Sequence, residues 1–216
     1  LSRLQDESPE SELRARLERF LADAAVSGAG VGEPFLQINR VFGHQSDKAA
    51  VFRLVVDLAK PYPGSAEAQF AIALAGLNTG LAEPGVATAA MEAADRALAL
   101  KPDWDRAVLL KAELLGKTSA SRAIAYIEAA LAKSPQSRAL KIALAQHLVE
   151  QKRFAEARAL YRSVLASDPA QPLDETFVTR SELLDLRSPD ALDADPNGIL
   201  RAFLLMAKHQ ELRGMS

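Results

Sequence analysis

Along most of the chain the apolar residues recur at intervals of three and four, which keeps them on one face of an α-helix, rather than at the alternate spacing of a strand. Ala157, Tyr161 and Val164 stand at i, i+4 and i+7, and the stripe recurs as Ala123, Ile127 and Ala130 and as Ala90, Ala94 and Ala97. Each of these segments follows another with its own stripe. Leu144, Ala145 and Leu148 form one and Ile72, Ala73 and Gly76 another; in the unit between, Lys111, Ala112 and Leu115 stand there, with Lys111 a departure. The small residues Ala73, Ala112 and Ala145 allow two helices to cross closely. One helix pair cannot bury such stripes, whereas a stack of neighbouring pairs can.

Prolines mark the period of the stack. The phrases ending at Pro102, Pro135 and Pro169 are spaced 33 and 34 residues apart, and Pro63 lies 39 residues before Pro102. The five extra residues are expected in the loop 81–86. Within the last unit the spacing predicts a helix over 138–151, a turn at Lys152-Arg153 and a helix over 154–167.

With 41 Ala and 32 Leu among 216 residues and aromatic residues at 6%, the composition agrees with an all-α chain. The 26 basic and 28 acidic residues leave a formal charge of −2, which argues against a nucleic-acid binder. The absence of Cys removes disulfides, zinc–thiolate sites and thiol nucleophiles. No run of about 18 uncharged apolar residues could cross a membrane. The chain opens at Leu1 rather than Met and is expected to be a trimmed or processed piece of something longer.

The period, the small residue in the first helix, the Ala-then-bulky stripe in the second and the closing Pro resemble tetratricopeptide repeats (TPR). The resemblance is clear over 66–169, about three units. It is weaker over 34–63, where Val51, Val55 and Leu58 still keep the second-helix stripe. The large aromatic residue of the first helix is missing, with Gln69, Val108 and Lys141 in its place. The resemblance implies an α-solenoid of antiparallel helix pairs. The runs Ser46 to Phe52 and Pro63 to Phe70 also resemble exported, often lipid-anchored TPR proteins of Gram-negative bacteria. That implies a periplasmic or outer-membrane-associated protein, and without it the location is open.

The expected organisation is a terminal helix and connection over 1–33, a degenerate helix pair over 34–63, three repeats over 64–170 and an irregular segment with a capping helix over 171–216. The first capping helix spans 10–25, with Leu13, Leu17, Phe20 and Leu21 on one side. The last spans 196–213, with Ile199, Leu200, Phe203, Leu204 and Ala207 as its stripe and Asp195 as its N-cap.

Candidate chemistry is sparse. Gly28-Ala29-Gly30-Val31-Gly32 fails as a phosphate loop, because Glu33 follows where a third glycine is needed and no strand precedes it. Asp193-Ala194-Asp195-Pro196-Asn197-Gly198 matches the first half of a calcium loop, but Arg201 and Leu204 occupy its ninth and twelfth positions, so helix capping is the expected role. His44, His147 and His209 lie far apart, and His147 is read as a packing or groove-edge residue. No catalytic residue, metal site, cofactor or small-molecule substrate is expected.

The candidate site is a surface. Glu67, Phe70, Leu74, Leu77 and Asn78 lie opposite the buried stripe of their helix, as do Arg106, Leu109, Glu113, Gly116 and Lys117, then Ala139, Ile142, Gln146, Val149 and Glu150. The TPR resemblance implies that this face lines a concave groove holding a peptide or an amphipathic helix of another protein. The clamp that reads a chaperone's terminal carboxylate is disfavoured, since Phe70, Leu74, Leu110, Ala139 and Ala143 stand at clamp-type positions. The expected function is a non-catalytic adaptor or scaffold. The alternative is a structural segment of a longer helical array whose groove is covered by its own C-terminal segment.

Overall fold

A computed structural model describes residues 9–27, 30–42, 46–81 and 85–167. The described residues form nine α-helices and no strand, which makes the protein all-α, of the α-solenoid class. They divide into two compact units, 1–118 and 119–216. The first unit holds α1 (Pro9–Val26), α2 (Gly32–Phe42), α3 (Lys48–Ala59), α4 (Ala66–Asn78), α5 (Val86–Leu100) and α6 (Asp105–Gly116). The second holds α7 (Ala120–Lys133), α8 (Arg138–Glu150) and α9 (Phe154–Ser167). The expected capping helix over 196–213, the irregular segment before it and the half calcium loop lie outside the described residues.

Local chemistry sets the helix starts. Asp47, Ser65, Ser119 and Ser137 each sit before a first turn and accept a hydrogen bond from the backbone N–H three residues on. Each satisfies one of the donors a helix start leaves without an internal partner. At the end of α8 the Arg153 N–H donates to the Leu148 carbonyl and the Lys152 N–H to that of Val149, a Schellman closure. It places Lys152 at φ 59°, where glycine is normally favoured. The connection from α4 to α5 spans 79–85, against 117–119 and 151–153 in the later pairs, which is where the sequence places its extra residues.

The stripes form the core. Ala90, Ala94 and Ala97 are buried, as are Ile72, Ala73 and Gly76 on α4, Val51, Val55 and Leu58 on α3, and Ala157, Tyr161 and Val164 on α9. α4 and α5 approach so closely at Gly76 that a Cβ there would stand 2.6 Å from the Cβ of Ala90. The departures have local causes. Gln69 is buried, and its Oε1 accepts from Arg96 Nε at 2.8 Å, joining α4 to α5. Lys111 runs its stem along the stripe of α6 and places Nζ 2.5 Å from Asp95 of α5, the snorkelling that lets a lysine occupy a half-buried position.

On α1 only part of the expected apolar side is covered. Leu21 is buried and Leu17 packs on the core, whereas Leu13 and Phe20 are exposed. Arg14 ties α1 to α3 through Asp57 at 2.7 Å, and Lys60 reaches the other oxygen of the same carboxylate at 2.8 Å. The Lys60 hydrogen bond, with that of Arg14 beside it, holds the Asp57 carboxyl below the usual carboxylate range despite the opposing cost of partial burial.

Candidate partner-binding face

In the first unit α4 lies between α2 and α6, and these three first-of-pair helices enclose a hollow of about 260 Å³. Glu33, Leu36, Gln37 and Arg40 of α2 line it together with Leu74 of α4 and Arg106 of α6. Leu36 and Leu74 are half-buried and give it an apolar floor. Along α2 the polar residues form a ladder at helical spacing, where Gln37 Nε2 donates to Glu33 Oε1 at 2.5 Å and Arg40 Nη2 donates to Gln37 Oε1 at 2.6 Å. Arg106 is positioned differently, its guanidinium lying over the Phe70 ring at 5.5 Å from the centroid.

Phe70 is only 4% exposed. The Trp104 ring lies 4.7 Å from it at a tilt of 37°. Lys101 in turn lies over Trp104, with Nζ 3.6 Å from Glu67. Trp104 thus covers the residue that the spacing on α4 placed in the open groove, and Phe70 serves as the platform for Arg106.

The structure brings Leu74 and Arg106 together in the hollow. Glu67 is half-buried, Leu77 packs on the core, and Asn78 is exposed at the end of α4. On α6 Leu109 and Gly116 are half-buried, while Glu113 and Lys117 are exposed. On α8, in the second unit, Ile142 and Val149 are half-buried and Ala139, Gln146 and Glu150 exposed. His147 is 6% exposed, with Nδ1 3.4 Å from Glu150 Oε2, a packed position at the edge of that face. Sequence reasoning missed the contribution of α2 and of Trp104. The signal was present in Glu33, Leu36, Gln37 and Arg40, which repeat the i, i+3, i+4, i+7 spacing.

A second hollow of about 440 Å³ lies between α1 and α3, lined by Leu13, Phe42, Val51 and Leu54 with Arg14 and Asp57 at its edge. No helix among the described residues is long and apolar enough to cross a membrane.

Residues 114–173 match the family model described as tetratricopeptide repeat. Among solved structures, the MamA RS-1 ArsTM double mutant is similar with a TM-score of 0.55 at 16% identity, over 83% of this chain and 97% of that one. A thermophilic TPR protein of Thermus thermophilus is similar with a TM-score of 0.52 at 16% identity, over 80% of this chain and 99% of that one. These likenesses concern the fold. A stretch of 46 residues is 44% identical to part of the bifunctional uridylyltransferase/uridylyl-removing enzyme of Thiobacillus denitrificans. It is 21% of this chain, which spans 5% of that enzyme's length.

Proposed function

From the tetratricopeptide-repeat match over residues 114–173 and the likeness of fold to solved structures, we propose that the protein is a non-catalytic adaptor, a role that this repeat fold suggests. It holds a segment of another protein, a peptide or an amphipathic helix, against the outward faces of its first-of-pair helices. The observation that carries this reading is the hollow of the first unit, whose floor of Leu36 and Leu74 is apolar and whose rim is charged. Half-buried apolar side chains ringed by charge are what a partner's anchor residue needs, since the floor gains from burial while the rim selects among partners. Glu67, Leu77, Asn78, Leu109, Glu113 and Lys117 extend this face in the first unit. In the second unit, Ile142, Gln146, Val149 and Glu150 form the outward face of α8. Phe70 contributes from beneath, as the support of Arg106.

Affinity capture from an extract of the source cell, read by mass spectrometry, tests the proposal, with the Leu109→Asp/Ile142→Asp form as control. The expected result is a protein retained by the wild type and lost by the variant, with unchanged helicity by circular dichroism. Retention of the same proteins by both forms would refute groove binding. If neither form retains any, the covered-groove alternative takes its place.

A further inference from the structure

Resting on the adaptor reading, we infer that the hollow between α2, α4 and α6 selects a partner segment carrying an acidic side chain beside a large apolar one. The apolar residue sits on Leu36 and Leu74, and the carboxylate is taken by Arg40 and Arg106.

The size of the hollow limits its occupant. At about 260 Å³ it falls below the roughly 300–1,000 Å³ of small-molecule sites, so it suits side chains of a larger ligand rather than a cofactor.

Charge decides what those side chains are. Arg14, Arg96 and Arg153 each stand within ion-pair distance of a carboxylate. The two arginines of the hollow differ. Arg40 donates to the amide oxygen of Gln37, and Arg106 lies over an aromatic ring. No ion pair joins either to a carboxylate among the described residues. Glu33, the acidic residue of the rim, already accepts from Gln37 Nε2. A guanidinium held over a ring keeps its in-plane N–H groups for another acceptor, and that fork matches the two oxygens of a carboxylate. Stacking on the buried Phe70 also restricts Arg106 before any ligand arrives, which lowers the ordering cost of binding. The apolar floor and the chain's formal charge of −2 favour an acidic–apolar peptide over a nucleic acid.

The test selects a phage-displayed random peptide library on the full chain. It then compares one synthetic consensus peptide with its acid-to-amide counterpart by fluorescence anisotropy. The expected consensus places Asp or Glu within two positions of Leu, Ile or Phe. The amide peptide should bind roughly tenfold or more weakly, the loss of a charge-assisted pair. Arg40→Gln/Arg106→Gln should erase the difference between the two peptides at unchanged helicity, and Arg106→Lys should keep part of it. A consensus without acidic residues, or a difference that persists in the double variant, overturns the inference. In that case binding that is still lost in Leu109→Asp/Ile142→Asp leaves the adaptor reading standing. No enrichment of any peptide overturns both.

Discussion

Replacing Gly76 by alanine should destabilise the first unit, although alanine is the better helix former and the position lies inside α4. Propensity alone would favour the change by about 1 kcal/mol. Packing opposes it. The new Cβ would lie 2.6 Å from the Ala90 Cβ, 3.3 Å from Phe52 Cε2 and 3.5 Å from Val86 Cγ1. Carbon atoms rest at about 3.5–4.0 Å, so α4 and α5 would have to part by about 1 Å. Neither Cβ can rotate aside, because each is fixed to its backbone. Overpacking of this kind costs about 1–3 kcal/mol, and it adds to the lost contacts of the buried alanines alongside. A contact of 2.6 Å between two fixed Cβ atoms belongs in the upper part of that range, about 2–3 kcal/mol, so after the propensity gain a net loss of about 1–2 kcal/mol remains, or roughly 3–10 °C in melting temperature for a unit of this size. Thermal and urea denaturation followed by circular dichroism measures it. Gly64→Ala is the control, because nothing lies within 4 Å of a Cβ there. Ala90→Gly added to Gly76→Ala should recover part of the loss, giving a favourable coupling of about 1 kcal/mol. A Gly76→Ala protein as stable as the wild type, or strictly additive effects in the double variant, would refute the close crossing. The consequence reaches the candidate site, since Leu74 sits on the same helix two residues away and moves with it.

Three further outcomes are expected. Lys152→Gly should stabilise the second unit by about 0.5–1 kcal/mol, because it relieves a left-handed backbone at φ 59° while the two closing hydrogen bonds of α8 stay in place; urea denaturation reads this. Removing a cap, by Ser65→Ala, Ser119→Ala or Ser137→Ala, should cost about 1 kcal/mol each by the same measurement. The folded-state pKa of Asp57 is depressed, so its contribution is present above the unfolded value and lost as pH falls through the folded one. Asp57→Asn should therefore be less stable at neutral pH by about 0.2–1 kcal/mol, and its melting curve should converge on that of the wild type below about pH 4.

The helices and their buried sides were legible because 3.6 residues per turn converts sequence spacing directly into position on a face. Ala157, Tyr161 and Val164 were placed in the core by spacing alone, and all three are buried. Even the departures obeyed that geometry, since Lys111 kept its stripe position by sending its ammonium out to Asp95. The serine caps were readable in principle as well, each standing just before a helical run.

What a single helix cannot disclose is which of its remaining sides stays open. Phe70 and Leu74 lie one turn apart on the same outward face of α4, yet Phe70 is covered by Trp104 and Arg106 while Leu74 floors the hollow. That difference is set by side chains some thirty residues further along the chain. The hollow itself needs α2, α4 and α6 side by side, and no spacing within one of them encodes the join. Local periodicity determined the fold class and the faces to be buried, because backbone geometry acts over a few residues. Only the tertiary structure decided where the apolar floor meets Arg40 and Arg106, because that depends on contacts between elements far apart in sequence.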